Sequence, residues 1–268
     1  MTDSKSLAQA AVTALETADP VAKVAAVLDF AAAWQTGRIT LVGAGNPPAR
    51  PARPARPELL LPRHMPKRRR AKNVAGRIAL LHALAHIELN AVDLACDIIA
   101  RFTDDDLPRE FFDDWVAVAA DEARHFSLLS TRLEIFGAAY GDFPAHDGLW
   151  GAATATAHDL LARLAMVPLV LEARGLDVTP VMIKNLRTAE DHDSAEILET
   201  IYRDEITHVA TGTRWFQFVC RARGCDPVPT YHEQVRRYFR GALKPPFNED
   251  ARDRAGLTPE FYVPLAVK

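Results

Sequence analysis

The chain has 268 residues, about half of them hydrophobic and a quarter charged, with 18 Pro against 13 Gly. This is an ordinary globular composition and excludes collagen-like, solenoid and wholly disordered readings. The 32 basic and 35 acidic residues leave a formal net charge of -3, so no global field draws the protein onto nucleic acid or membrane. Cys96, Cys220 and Cys225 are odd in number and form no C-x-x-C pair, which argues against a disulfide scaffold or zinc ribbon and for a reducing compartment. The opening Met-Thr-Asp-Ser-Lys-Ser lacks a basic-then-apolar pattern, and no uncharged run reaches the ~18 residues needed to span a bilayer. A cytoplasmic location without membrane insertion is the expectation.

Residues 4–36 are rich in Ala, Leu and Val and are divided by Asp19-Pro20. That predicts two short helices, the second with Pro in its first turn, within an N-terminal appendage over 1–45. Residues 46–72 change character: Pro recurs between nine basic residues, Arg50, Arg53, Arg56, Arg63, Lys67, Arg68, Arg69, Arg70 and Lys72, opposed only by Glu58. This is extended linker chemistry carrying +8, which leaves -11 for the rest of the chain. Over 73–224 apolar residues recur at three and four, predicting long helices over 73–101, 108–138, 151–176 and 192–223, with a short helical stretch from Thr179-Pro180 to Glu190. Thr103-Asp-Asp-Asp with Leu107-Pro108 is expected to cap the second, Gly137, Gly141 and Pro144 to end it, and Gly175 to end the third. Over 225–268 one helix at 231–243 is expected, followed by an irregular arm that packs by Phe247, Phe261, Tyr262 and Leu265.

Asp121-Glu122-Ala-Arg-His125 in the second long helix and Asp204-Glu205-Ile-Thr-His208 in the fourth are two copies of D-E-x-x-H. A Glu and a His three apart share one helix face, close enough to bind one ion, or for the Glu to bridge two. The first and third helices add Glu88 and Glu172, each within an apolar stretch, and a buried carboxylate calls for a compensating cation. Glu88 precedes Glu122 by 34 residues and Glu172 precedes Glu205 by 33, while the two halves are offset by 84 and 83. The bundle is therefore an approximate internal duplication. Four carboxylates and two neutral imidazoles balance two divalent ions, a set that favours iron, with manganese or a mixed iron/manganese pair as the alternative.

One Glu and one Glu-x-x-His from each of two hairpins is the ligand set of ferritin-like di-iron proteins, and the chain resembles that superfamily at these positions. It is more specifically similar to the DUF455 family through His82-Ala-Leu-Ala-His-Ile-Glu-Leu-Asn-Ala, Pro144-Ala-His-Asp-Gly-Leu-Trp, Leu171-Glu-Ala-Arg-Gly-Leu-Asp-Val-Thr-Pro and Leu243-Lys-Pro-Pro-Phe-Asn, over roughly residues 46–265. The resemblance implies an all-α, ferritin-like four-helix bundle over 73–224 with Glu88, Glu122, His125, Glu172, Glu205 and His208 as metal ligands. It further implies that Asp121 contacts His208 and that Asp204 contacts His125, fixing each imidazole.

Of the remaining polar residues, Tyr202 lies three before Glu205 and could tune an oxidised cluster or simply pack. His82 and His86 are read as structural, bonding carbonyls of the loop after the second helix. Arg124 and Arg174 adjoin ligand positions and would neutralise nearby carboxylates if buried, with exposed ion pairs as the plainer alternative. The expected activity is that of an oxidase or hydroxylase using O2 on an unidentified small organic substrate, with an electron-donor protein as partner. The competing readings are a ferroxidase or inert metal-binding protein, the former with self-assembly into a homo-oligomer, and a tRNA-modifying hydroxylase to which residues 50–72 present RNA. For those arginines the plainer alternative is packing along acidic faces of the same protein.

Overall fold

In the computed structural model, which describes residues 6–61, 64–65, 73–103 and 106–267, every regular element is helical, and strand character is confined to the bridges Leu59 to Ala145 and Leu243 to Ala266. The fold is all-α. Arg63, Lys67, Arg68, Arg69, Arg70 and Lys72 of the basic segment, and Asp104 and Asp105 of the expected cap, lie outside the described residues. The chain forms two compact units, Met1–Trp150 and Gly151–Lys268.

The first unit holds α1 (Leu7–Leu15), α2 (Pro20–Gln35), α3 (Val74–Arg101) and α4 (Arg109–Ile135). α3 and α4 form a hairpin, with α1 laid on α3 and α2 on α4. Asp19 starts α2 by accepting from Ala22 N at 2.8 Å, with Pro20 first in the helix, and Asn73 starts α3 by accepting from Gly76 N at 2.8 Å. The start of α4 differs from expectation. Pro108 is itself the cap and no side chain bonds there, because Pro presets the entry angle while Glu110 in the first turn complements the helix dipole. Gly137, at φ +73°, allows the left-handed turn that ends α4.

By length and composition alone α3 could cross a membrane, but 67% of its most apolar window is buried in the protein, as in a core helix. It also carries buried acids matched to cations. Asp93 pairs with buried Lys23 and, at 2.9 Å, with Arg53, and Asp97 pairs with Arg101 at 2.6 Å. Arg53 also donates to Asn90 Oδ1 at 2.7 Å, and Arg50 pairs with Asp147. The described part of the Pro/Arg segment is thus tied to acidic and amide groups of its own unit, with Ala52 N donating to Leu15 O at 2.8 Å and Leu60 N to Ala145 O at 2.8 Å. Lys23→Met leaves a buried carboxylate with half its cationic partners and is expected to lower unfolding free energy by about 3 kcal/mol, measured by urea denaturation.

Helix α5 (Gly148–Ala155) carries the boundary between the units. The second unit continues with α6 (Leu160–Met166), a widened π-helical turn over Val167–Glu172, α7 (Ala173–Thr188), α8 (His192–Ala222), α9 (Pro227–Tyr238), α10 (Glu249–Arg254) and α11 (Pro259–Tyr262). α8 packs against α6, the widened turn and α7. The third long helix therefore departs from the expected 151–176. It starts at Leu160, where the Asp159 carboxylate accepts from Leu161 N and Ala162 N at 3.3 Å, and it runs through Gly175 and Pro180 to Thr188. Pro180 cannot donate to the Leu176 carbonyl four residues earlier. Asn248 Nδ2 replaces that bond at 3.0 Å, which lets the helix continue.

The segment after α9 contains two short helices where an irregular arm was expected. Phe261 and Tyr262 are buried in it as anticipated, while Phe247 and Leu265 are only partly covered. Arg252 makes a two-pronged bond to Asp177, 2.8 Å to each oxygen, and its guanidinium lies over the rings of Phe247 and Tyr262 at 5.0 and 4.5 Å. Arg174 Nη1 donates to Lys244 O at 2.7 Å. The Leu171–Pro180 and Leu243–Asn248 stretches singled out in the sequence thus interlock. Trp115, Trp150 and Trp215 are core residues.

Candidate metal centre

In the first unit, α3 and α4 bring Glu88, Glu122 and His125 together. Helical spacing stacks Glu122 and His125 on one face of α4, and that face meets Glu88 on α3. All three side chains are buried, and one ligand atom from each lies within 4.8 Å of the others. His125 Nδ1 is 3.4 Å from Glu122 Oε2 and 3.4 Å from Glu88 Oε2. Metal–ligand bonds of about 2.0–2.2 Å place opposite donors of one ion roughly 4 Å apart, so this spacing needs little adjustment to close on a cation.

The electrostatics point the same way. Burial first, and the neighbouring Glu122 carboxylate second, push Glu88 up to about 8. Burial would lower His125, but its contacts with Glu122 and Glu88 outweigh that and raise it to about 11. Without a cation the cluster holds protons to limit its negative charge, and a divalent ion would displace them. Glu88 Oε2 is buried and receives no hydrogen bond among the described residues. Hard oxygen donors with one imidazole suit iron or manganese.

The second unit carries the three corresponding residues of the sequence pattern. Glu205 and His208 lie one turn apart on α8, with His208 Nδ1 3.8 Å from Glu205 Oε1, and Glu172 is the last residue of the widened turn. His208 is fully buried and Glu205 and Glu172 are partly covered. Asp121 pairs with Arg124 one turn on, and Arg174 lies 3.3 Å from Asp177; both arginine side chains are exposed, so these are the surface ion pairs of the plainer alternative. Asp204, on α8, is partly covered. Tyr202 Oη accepts from Asn248 Nδ2 at 2.8 Å, which ties it to the C-terminal segment.

His82 and His86 tether the loop after α4 to α3. Gly141 N donates to His82 Nε2 at 2.9 Å, an amide where a carbonyl was expected. His86 Nε2 is 3.2 Å from the His146 carbonyl and Nδ1 is 2.9 Å from Tyr140 Oη. Burial lowers both histidines, and with Arg53 nearby it takes His86 to about 4, which favours the neutral ring that His82 needs to accept from Gly141 N–H. The two remaining similarity stretches, at 82–91 and 144–150, therefore meet in this loop. Cys96, Cys220 and Cys225 are free thiols.

Pattern reading passed over Asn248, Tyr231 and Gly212. Gly212 carried a legible signal, an isolated Gly inside a helical pattern. Tyr231 carried none and Asn248 only its place at the end of a similarity stretch, because each bonds a carbonyl more than sixty residues away.

A family described as a protein of unknown function (DUF455) matches this chain over residues 16–263. An uncharacterized protein of Haemophilus influenzae is 43% identical over 205 residues, which cover 75% of this chain and 71% of the relative. No solved structure matches. Since the family match takes in both triads, both loop interlocks and all of the helices from α2 to α11, the chain belongs to the DUF455 family.

Proposed function

We propose that this protein is a ferritin-like, cytoplasmic, non-haem di-iron oxidoreductase in which Glu88, Glu122 and His125 with Glu172, Glu205 and His208 serve one pair of metal ions. The observation that carries the reading is the buried Glu88–Glu122–His125 cluster, in which two carboxylates converge on one imidazole and the donor atoms lie within 4.8 Å of one another. The near-exact repetition of its pattern in the second unit supplies the other half of the ligand set.

When bound, two ferrous ions supply electrons and Lewis acidity for the reduction of dioxygen to oxidise a small organic substrate. The chain contributes the rest. The four carboxylates and two imidazoles set the coordination, and the apolar walls of α3 and α4 keep bulk water from Glu88 and Glu122. Asp121 and Asp204 are proposed to orient the histidines. Two of the arginines in residues 50–72 are engaged with Asp147 and Asp93, which favours the reading of that segment as part of the fold over one that presents RNA.

The test is anaerobic loading with Fe(II), followed by admission of oxygen while iron content and absorbance are recorded. About two irons per chain and a transient absorption band are expected. Mineral-scale iron loading would instead support a ferroxidase store, and failure to bind iron would overturn the reading.

A further inference from the structure

The turn that delivers Glu172 is not α-helical. Ala173 N–H reaches back five residues to the Pro168 carbonyl, whereas Val167 N–H still makes the ordinary four-residue bond to Arg163. Pro168 has no N–H, and its ring would collide with the carbonyl four residues earlier, so widening is how the helix passes it. Widened turns are rare within α-helices and recur at functional sites, held by their surroundings.

Two residues outside the turn hold this one. A Cβ on Gly212 of α8 would stand 2.3 Å from Pro168 Cβ and 2.5 Å from its Cγ, so only glycine permits the approach. Tyr231, fully buried on α9, donates its hydroxyl to the Leu169 carbonyl at 3.1 Å, inside the widened turn. Helical register places Gly212 four residues after His208 and seven after Glu205, on the face of α8 that carries both. The closest approach of α8 to the widened turn therefore falls on the ligand-bearing face, at the position where a side chain is missing.

We infer that Gly212 and Tyr231 are positioning residues for Glu172: they hold the widened turn and fix where its last residue stands relative to Glu205 and His208. The inference rests on the metal-centre reading above. It is tested with Co(II), whose visible bands report coordination, in a double-mutant cycle using Gly212→Ala, Tyr231→Phe and Glu172→Ala. Either positioning change is expected to weaken Co(II) binding by about ten-fold and to alter the bands. Because both act through Glu172, adding either to Glu172→Ala should cost no further affinity. A residue that merely stabilises the fold would give additive losses.

Tyr231→Phe keeps the side-chain volume, so it carries the cycle if Gly212→Ala fails to fold. Wild-type affinity and bands in the folded variants, or additive losses, would overturn the inference alone. Absence of Co(II) binding to the wild-type protein would overturn the metal-centre reading and this inference with it.

Discussion

Changing Glu122 and Glu205 together to Ala is expected to abolish binding of Fe(II) and Mn(II) without unfolding the protein. These two residues are the glutamates of the duplicated D-E-x-x-H motifs, one from each half of the proposed ligand set. Their loss should therefore exceed the ~10–100-fold effect of a supporting residue and be read as near-zero metal content after loading and dialysis. The metal-free protein should respond in the opposite direction to the single change Glu88→Gln. An amide in place of the acid that burial and Glu122 raise to about 8 leaves Glu122 beside His125, removes the cost of ionising Glu88, and is expected to stabilise the metal-free state by about 1–3 kcal/mol at alkaline pH, seen as a higher midpoint in urea. Full metal occupancy in the double Ala variant would remove the ligand assignment. A marked loss of metal-free stability in Glu88→Gln at alkaline pH would remove the electrostatic account of the cluster.

The second large effect is in pH dependence. Glu88 is raised by burial and by Glu122 from an unfolded value of 4.5 to about 8. The folded protein therefore binds more protons than the unfolded chain across that interval. This contribution to stability is complete below about pH 4.5 and is lost as pH rises through about 8. Metal-free protein should thus weaken from mildly acidic to mildly alkaline pH, by an amount on the order of a few kcal/mol. Saturating Mn(II) should abolish or reverse that slope, because bound metal takes the place of the protons and competes better as they leave. Urea titrations across this range with and without Mn(II) measure it. Calorimetry of Mn(II) binding in buffers of different ionisation enthalpy should independently show proton release. A flat metal-free profile, or Mn(II) binding without proton release, would contradict the assignment.

Much of the candidate site is visible in the primary structure because its chemistry is local. A Glu and a His three residues apart share a helix face whatever the rest of the molecule does, so Glu122 with His125 and Glu205 with His208 are legible from spacing. The same is true of α3, α4 and α8, which lie within a few residues of where periodicity and caps place them. The third long helix was misjudged because local rules treat Gly175 and Pro180 as stops. They are stops unless something distant repairs the backbone, and Asn248 does so by donating to Leu176 O.

The boundary between the two kinds of information follows from the range of the forces. Helical character and the two Glu-x-x-His pairs depend on side-chain type and on separations of three to seven residues, and the duplication on offsets of 84 and 83 residues between like residues, all of which a linear chain displays directly. The burial of Glu88, the Lys23–Asp93 pair, the tethering of the loop after α4 by His82 and His86, and the widened turn held by Gly212 and Tyr231 depend on groups brought together across tens of residues. Desolvation and close packing act only between surfaces already in contact, so these features come into being when the helices pair; the apolar stretch around Glu88, the two histidines before it and the isolated Gly212 mark positions along the chain without naming the partners they meet.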